Sequence, residues 1–287
     1  MVIRIKKSVF LLVFSLLIII AAAMLHKSAS VPSSAVSSRR IPIIMYHQIS
    51  KTGKNTGKYV ISAKDLEKDF IYLRDNGYET VSVKEMIDFV KGKGSLPEKS
   101  VMLTFDDGYE TGFTVLYPLL KKYNMKAVIS VIGSLTELYT ENGDHNDTYS
   151  YLDKEEIRLL CESPLVEIGN HSYDMHNCEK GKRKGINRLP GEKESDYKKA
   201  LEADVGKMQN YLLKITGRLP CAIAYPFGEC CEETAPLCRS LGLSVTFTCE
   251  EKVNTVTVGR SESLINLGRF NRSGTAEREA FFKKILI

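Results

Sequence analysis

From residue 41 onward the chain alternates short apolar, β-prone runs with stretches whose apolar positions recur at helical spacing. Ile41–Ser50 (IPIIMYHQIS) reads as a buried strand ending at His47. After a polar, glycine-containing stretch, Ser62 caps a helix with Leu66, Phe70 and Leu73 on one face and Gly77 as its stop. Ser82 caps the next, with Glu85 completing a capping box, and that helix ends around Gly92–Gly94. An apolar run, Val101–Phe105, passes directly into Asp106, Asp107, Gly108 and Tyr109. A helix is predicted near Thr111–Tyr123 and a strand at Lys126–Ile132. Ser134–Ser150 shows no clear period and is expected to be a surface loop, with His145 solvated. Asp153 caps a further helix, and Leu165–Gly169 is a short strand running into Asn170, His171 and Ser172. A basic, solvated loop (Lys180–Arg188) then leads to a long helix at Asp196–Thr216, with Leu201, Val205, Met208, Leu212 and Ile215 in register. Cys221–Ala224 is a strand ending in Tyr225, Pro226, Phe227 and Gly228. A helix (Glu232–Leu241), a strand (Leu243–Thr248), an irregular segment and a closing helix (Thr275–Ile287) finish the chain.

Strands alternating with helices predict an α/β protein with a mostly parallel sheet. Several strands end in polar residues, which is where β/α barrels gather their sites, so a distorted (β/α) barrel is favoured over an open sheet.

The first forty residues differ. Val9–Leu25 carries no charge and follows Arg4, Lys6 and Lys7, which predicts an N-terminal membrane-spanning helix acting as a signal-anchor, or a signal peptide, over residues 1–27. Residues 28–40 form a Ser/Ala/Val linker, and 41–287 the globular domain. That domain is expected outside the cytoplasm, held at the cell membrane, or secreted if the signal is cleaved. The formal charge of +5 comes from the same end: the six basic residues before position 41 face no acid, and without them the chain is nearly neutral. Nothing in that balance supports nucleic-acid binding. The seven cysteines all lie beyond residue 160; the Cys230-Cys231 pair lacks the C-x-x-C spacing of a zinc or redox motif.

Candidate chemistry clusters at four strand ends: His47, Asp106 with Asp107, His171 with His176, and Tyr225–Gly228. Neighbouring residues on a strand point to opposite faces, so the two aspartates should do different work. One carboxylate with two imidazoles makes a site for a borderline divalent metal such as Zn2+, and these donor types leave Co2+, Ni2+ and Mn2+ open.

The strings TFDDGY, HSYDMH and AYPFG resemble the three motifs of the polysaccharide deacetylase family, the family 4 carbohydrate esterases with a NodB-homology domain. The longer spacing between the histidines and the early His47 are similar to the subgroup acting on poly-N-acetylglucosamine. The resemblance implies a metal-dependent deacetylase working on N-acetylglucosamine residues of an envelope polysaccharide, peptidoglycan or poly-N-acetylglucosamine. It implies Asp106 as general base, Asp107, His171 and His176 as metal ligands, and a metal-activated water as nucleophile. Tyr109, Tyr225, Pro226 and Phe227 would line the sugar site, and Ser172 would orient its turn. Two departures stand out. No histidine follows His176, so His47 takes the acid role; and Ala224 stands where many members place an arginine that orients the base. An O-acetyl esterase of xylan type and a catalytically silent envelope-binding module are the competing expectations. A polysaccharide, the membrane and no nucleic acid are the expected partners of a monomer.

Overall fold

The computed structural model describes residues 37–180 and 182–286. The apolar run expected to span the membrane lies outside the described residues. Among those described, no helix is long and apolar enough to cross a bilayer.

In chain order the strands are β1 (Ser38–Ile41), β2 (Ile43–Tyr46), β3 (Gln48–Ser50), β4 (Val60–Ser62), β5 (Glu79–Thr80) and β6 (Ser100–Phe105). They continue with β7 (Ala127–Val131), β8 (Val166–Asn170), β9 (Ala222–Ala224), β10 (Val245–Phe247), β11 (Asn254–Thr257) and β12 (Phe270–Asn271). The α-helices are α1 (Ala63–Asp75), α2 (Val83–Val90), α3 (Tyr117–Tyr123), α4 (Gly133–Asn142), α5 (Lys154–Cys161), α6 (Glu194–Thr216), α7 (Thr234–Ser240) and α8 (Arg278–Ile285). The expected caps form: Ser62 accepts from the Asp65 amide, and Ser82–Glu85 and Asp153–Glu156 are complete capping boxes.

The main sheet runs β10-β9-β8-β7-β6-β2-β12, with β5 paired to the first residues of β6, and every one of these ladders is parallel. Leu267 bridges Phe247 of β10 in parallel, and three residues later β12 pairs with β2. Residues 267–271 thus carry the curved sheet back to its other edge through a short, irregular seam. Strands that are covered on both faces should be apolar throughout, and β6 is buried at all six positions.

The period of two then sorts the side chains. Val101, Leu103 and Phe105 of β6 join Ile44, Ile129 and Val131 in the cluster packed beneath α1, α3, α5 and α6. Met102 joins Ile43, Val128, Ala222, Ala224 and Phe247 on the inner face, whose cluster also takes in Met86 and Phe89 of α2. A third cluster places Ile223 and Tyr225 against Leu201 and Val205 of α6 and Leu237 of α7. The closing helix is tied down by charge: Asp69 of α1, fully buried, accepts from Arg272 at 2.8 Å and from Arg278 of α8 at 2.7 Å.

Three expectations need correcting. Ser134–Ser150 is not all loop, because α4 occupies 133–142; only Gly133 and Thr136 of it are buried, which is why no apolar stripe announced it. Residues 38–40, expected as linker, pair with β11 as part of β1. The segment expected to be irregular after Thr248 contains β11 and β12, strands too short to show a period.

Candidate metal centre and its buried arginine

The site is built where β6, β8 and β9 end. Each exit contains a residue forced into the left-handed region: Asp107 at φ +72°, Ser172 at +70° and Phe227 at +59°. Such backbone is uncommon outside glycine, and its recurrence at three neighbouring strand ends marks turns held in place by their surroundings. Gly108 is required by space as well as by its φ of +77°: a Cβ there would sit 2.7 Å from Cγ1 of Val131.

The turn after β8 is tied down by two side chains. Asn170 Oδ1 accepts the Ser172 amide at 2.8 Å, while its Nδ2 donates to Gln209 and the Val205 carbonyl on α6. Asp204, also on α6, receives the backbone N–H groups of Tyr173 and Asp174, each at 2.8 Å. The loop therefore folds back on itself, and its two histidines meet. Ser172 was expected to orient this turn, but its buried hydroxyl has no hydrogen-bond partner among the described residues, and the Asn170 side chain accepts the Ser172 amide instead.

His171 and His176 each place Nε2 at 3.3 Å from Oδ1 of Asp107, with ring centroids 5.0 Å apart. One donor atom from each of the three residues lies within 4.8 Å of the others. His171 Nδ1 donates to the Ala224 carbonyl at 2.7 Å, which fixes the tautomer and leaves the Nε2 lone pair facing Asp107. One carboxylate and two imidazoles presented to a common point suit a divalent cation of the zinc type, with positions left over.

Asp106 turns the other way, as the strand period requires, onto the inner face with Met102. It is 3% exposed and meets Arg269, which is fully buried, in a two-pronged ion pair: Nη1 to Oδ1 at 2.7 Å and Nη2 to Oδ2 at 2.8 Å. Arg269 is fixed in turn by donating from Nε to the Thr248 carbonyl at 3.0 Å. Burial pushes the Asp106 carboxyl up, but the guanidinium outweighs it and holds the group well below the usual carboxylate range. Arg269 thus gives Asp106 the guanidinium partner that Ala224 cannot. Nothing in the sequence pointed to Arg269, because the segment carrying it has no readable period.

His47 follows β2, its ring 4.7 Å from that of Tyr59 and its Nδ1 buried without a hydrogen-bond partner among the described residues. Burial lowers its pKa against the pull of Asp106 and Asp107, so the ring is neutral near pH 7. His176 is likewise pushed down, to about 4, by burial and by His171. His171 goes the other way: burial opposes its charge, but Asp106 and Asp107 together outweigh that and raise it.

The residues expected to touch sugar are divided. Phe227 is 36% exposed and packs against His176 with ring centroids 4.4 Å apart. Tyr109 is half-buried and stacked on Tyr151 at 4.7 Å. Pro226 is buried. Tyr225 is corrected outright: it shares the parity of Ile223, points beneath α6 and α7, and is fully buried, so its side chain belongs to the core rather than to an open groove.

Comparison with known proteins follows the same lines. The polysaccharide deacetylase family profile matches residues 93–246. The poly-β-1,6-N-acetyl-D-glucosamine N-deacetylase of Staphylococcus aureus (strain MRSA252) is 31% identical over 216 residues, 74% of this chain and 68% of that protein. The protein of the same description from Escherichia coli (strain K12) is 27% identical over 224 residues, but the chain spans only 33% of its length. Among solved structures, a de-N-acetylase from Aggregatibacter actinomycetemcomitans superposes with a TM-score of 0.74 at 26% identity, covering 86% of this chain and 100% of that one. IcaB from Ammonifex degensii gives 0.69 at 25% identity, covering 86% and 96%. Profile, relatives and fold agree: the chain belongs to the polysaccharide deacetylase family of hydrolases.

Proposed function

We propose that this chain removes N-acetyl groups from N-acetylglucosamine residues of a cell-envelope polysaccharide, with poly-β-1,6-N-acetylglucosamine the leading substrate. The observation that carries the reading is the meeting of Asp107, His171 and His176 at one point, with Asp106 held by Arg269 beside them. The names of the S. aureus and E. coli relatives support the choice of polymer. The apolar N-terminal segment would hold the catalytic body outside the cytoplasm, at the membrane whose polysaccharide it modifies.

Asp107, His171 and His176 would hold the metal, Zn2+ by donor type. When bound, that ion supplies a Lewis acid for the acetamide carbonyl and a water of lowered pKa. Asp106 stays ionised across the neutral range and accepts the proton of the attacking water, with Arg269 fixing where its oxygens point. Burial keeps His47 neutral at rest, so the proton it would give the leaving amine is the one Asp106 has taken from the water, passed on within the site. The exposed ring of Phe227, beside His176, offers an apolar face to the sugar.

The reading predicts which polymer loses acetyl groups. The full chain, purified in detergent, should release acetate from β-1,6-linked N-acetylglucosamine oligomers and stop when a chelator removes the metal. Faster release from peptidoglycan fragments would move the substrate, and release from acetylated xylan would make the chain an esterase. Silence on the whole panel with metal present would leave an envelope-binding module.

A further inference from the structure

His145, expected to be a solvated loop residue, is instead ringed by three carboxylates. Its Nδ1 lies 3.3 Å from Oε1 of Glu110 and 3.9 Å from Oε1 of Glu156, and its Nε2 lies 3.7 Å from Oδ2 of Asp153. Glu110 and Glu156 are 5% and 7% exposed, while the imidazole is 48% exposed. The other oxygen of each carboxylate is already engaged by a backbone N–H: Glu110 by Asn146 at 2.9 Å, Asp153 by Glu156 at 2.7 Å, and Glu156 by Asp153 at 3.1 Å. One oxygen of each is therefore left facing the ring. Among the described residues, no lysine or arginine pairs with any of the three. Two nearly buried carboxylates and a third beside them thus converge on one imidazole.

We propose that Glu110, Glu156 and Nδ1 of His145 bind a second divalent transition-metal cation, separate from the catalytic centre, with the Asp153 carboxylate facing Nε2 from 3.7 Å. A carboxylate on the distal nitrogen of a ligating imidazole is the usual way such a ring is oriented. The donor atoms of Glu110, His145 and Glu156 lie within 4.8 Å of one another, close enough to share one ion. Two carboxylates and one imidazole are harder than the catalytic set and suit Mn2+ as well as Zn2+.

The position gives the ion a task. Glu110 lies three residues beyond Asp107, and its amide donates to the Ser150 carbonyl at 3.0 Å. Tyr109 bridges Tyr151, and Gln48, next to His47, donates to the Thr148 carbonyl. An ion here would fasten the 144–153 segment to the two stretches of chain that carry Asp107 and His47.

The test is independent of the catalytic reading. The full chain carrying His176→Ala, stripped with chelator, is titrated with Mn2+, which the seven thiols bind poorly, and bound metal is followed by electron paramagnetic resonance. One saturable Mn2+ per chain is expected, falling to none when His145→Ala is added. Glu110→Gln, which keeps the shape, should weaken binding at least tenfold. Mn2+ should raise the melting temperature of the His176→Ala chain and leave that of the double variant unchanged. Absence of saturable binding in the His176→Ala chain, or binding untouched by both His145→Ala and Glu110→Gln, overturns the proposal. Should the His176→Ala chain bind one ion and an otherwise unaltered chain bind no more, the second site stands and the catalytic centre is the one in error.

Discussion

Arg269→Met is expected to cost about 3–5 kcal/mol of stability, because it leaves the carboxylate of Asp106 buried without its partner. Methionine fills much of the same volume, so the loss is one of charge compensation rather than of packing. The dependence on pH gives this prediction its signature. In the native chain the Asp106 pKa is depressed below its unfolded value, so the group's contribution is present above about pH 4 and is lost as pH falls through the folded pKa. Without the guanidinium, burial is opposed only by His171 and His47, and the same pKa rises. The group then stabilises only below its unfolded value and costs stability as pH rises. The gap between the two chains in urea unfolding should therefore be widest near neutrality and narrow in acid. A gap that does not change with pH would mean that Arg269 contributes through packing alone. Acetate release should fall with the same substitution, since a protonated, unanchored Asp106 can neither accept a proton nor point at one.

Asp106→Asn carries the second large effect. The amide cannot serve as the base, and loss of a positioned general base costs about 10²–10⁴ in rate. The three donors of the metal centre are untouched, because strand parity sends Asp106 to the inner face and the left-handed turn sends Asp107 to the histidines. Metal content should therefore stay near that of the native chain while acetate release disappears. The neutral amide also leaves Arg269 partly uncompensated, so unfolding is measured alongside, and kcat is read only at temperatures where the variant is folded. Loss of metal together with activity would show that the division of labour between the two aspartates is reversed. Full activity would transfer the base to His47, whose buried Nδ1 has no hydrogen-bond partner among the described residues.

Residues carried by motifs at strand ends were legible, and residues outside such motifs that only the fold brings in were not. Asp106 and Asp107 stand at the end of an unbroken apolar run, and His171 and His176 lie in one loop after another strand, so a carboxylate with two imidazoles could be seen as a set. The mostly parallel sheet followed from alternation of strand and helix. Arg269 was invisible because it lies 163 residues from its partner, next to a strand of two residues. Asp204, which anchors the histidine loop, sits on a helix whose only readable feature was its apolar face. Tyr225 was misplaced for a different reason. Its aromatic type suggested a sugar contact, whereas its parity with Ile223 already put it on the helix-covered side. The environment of His145 could not be read because its three carboxylates come from the catalytic turn and from a capping box.

The metal centre itself is tested most directly by anomalous diffraction at the zinc edge from crystals of active enzyme. The account predicts a peak about 2.0–2.2 Å from a carboxylate oxygen of Asp107 and from Nε2 of His171 and His176. An active enzyme whose map shows no peak among those three residues would contradict it.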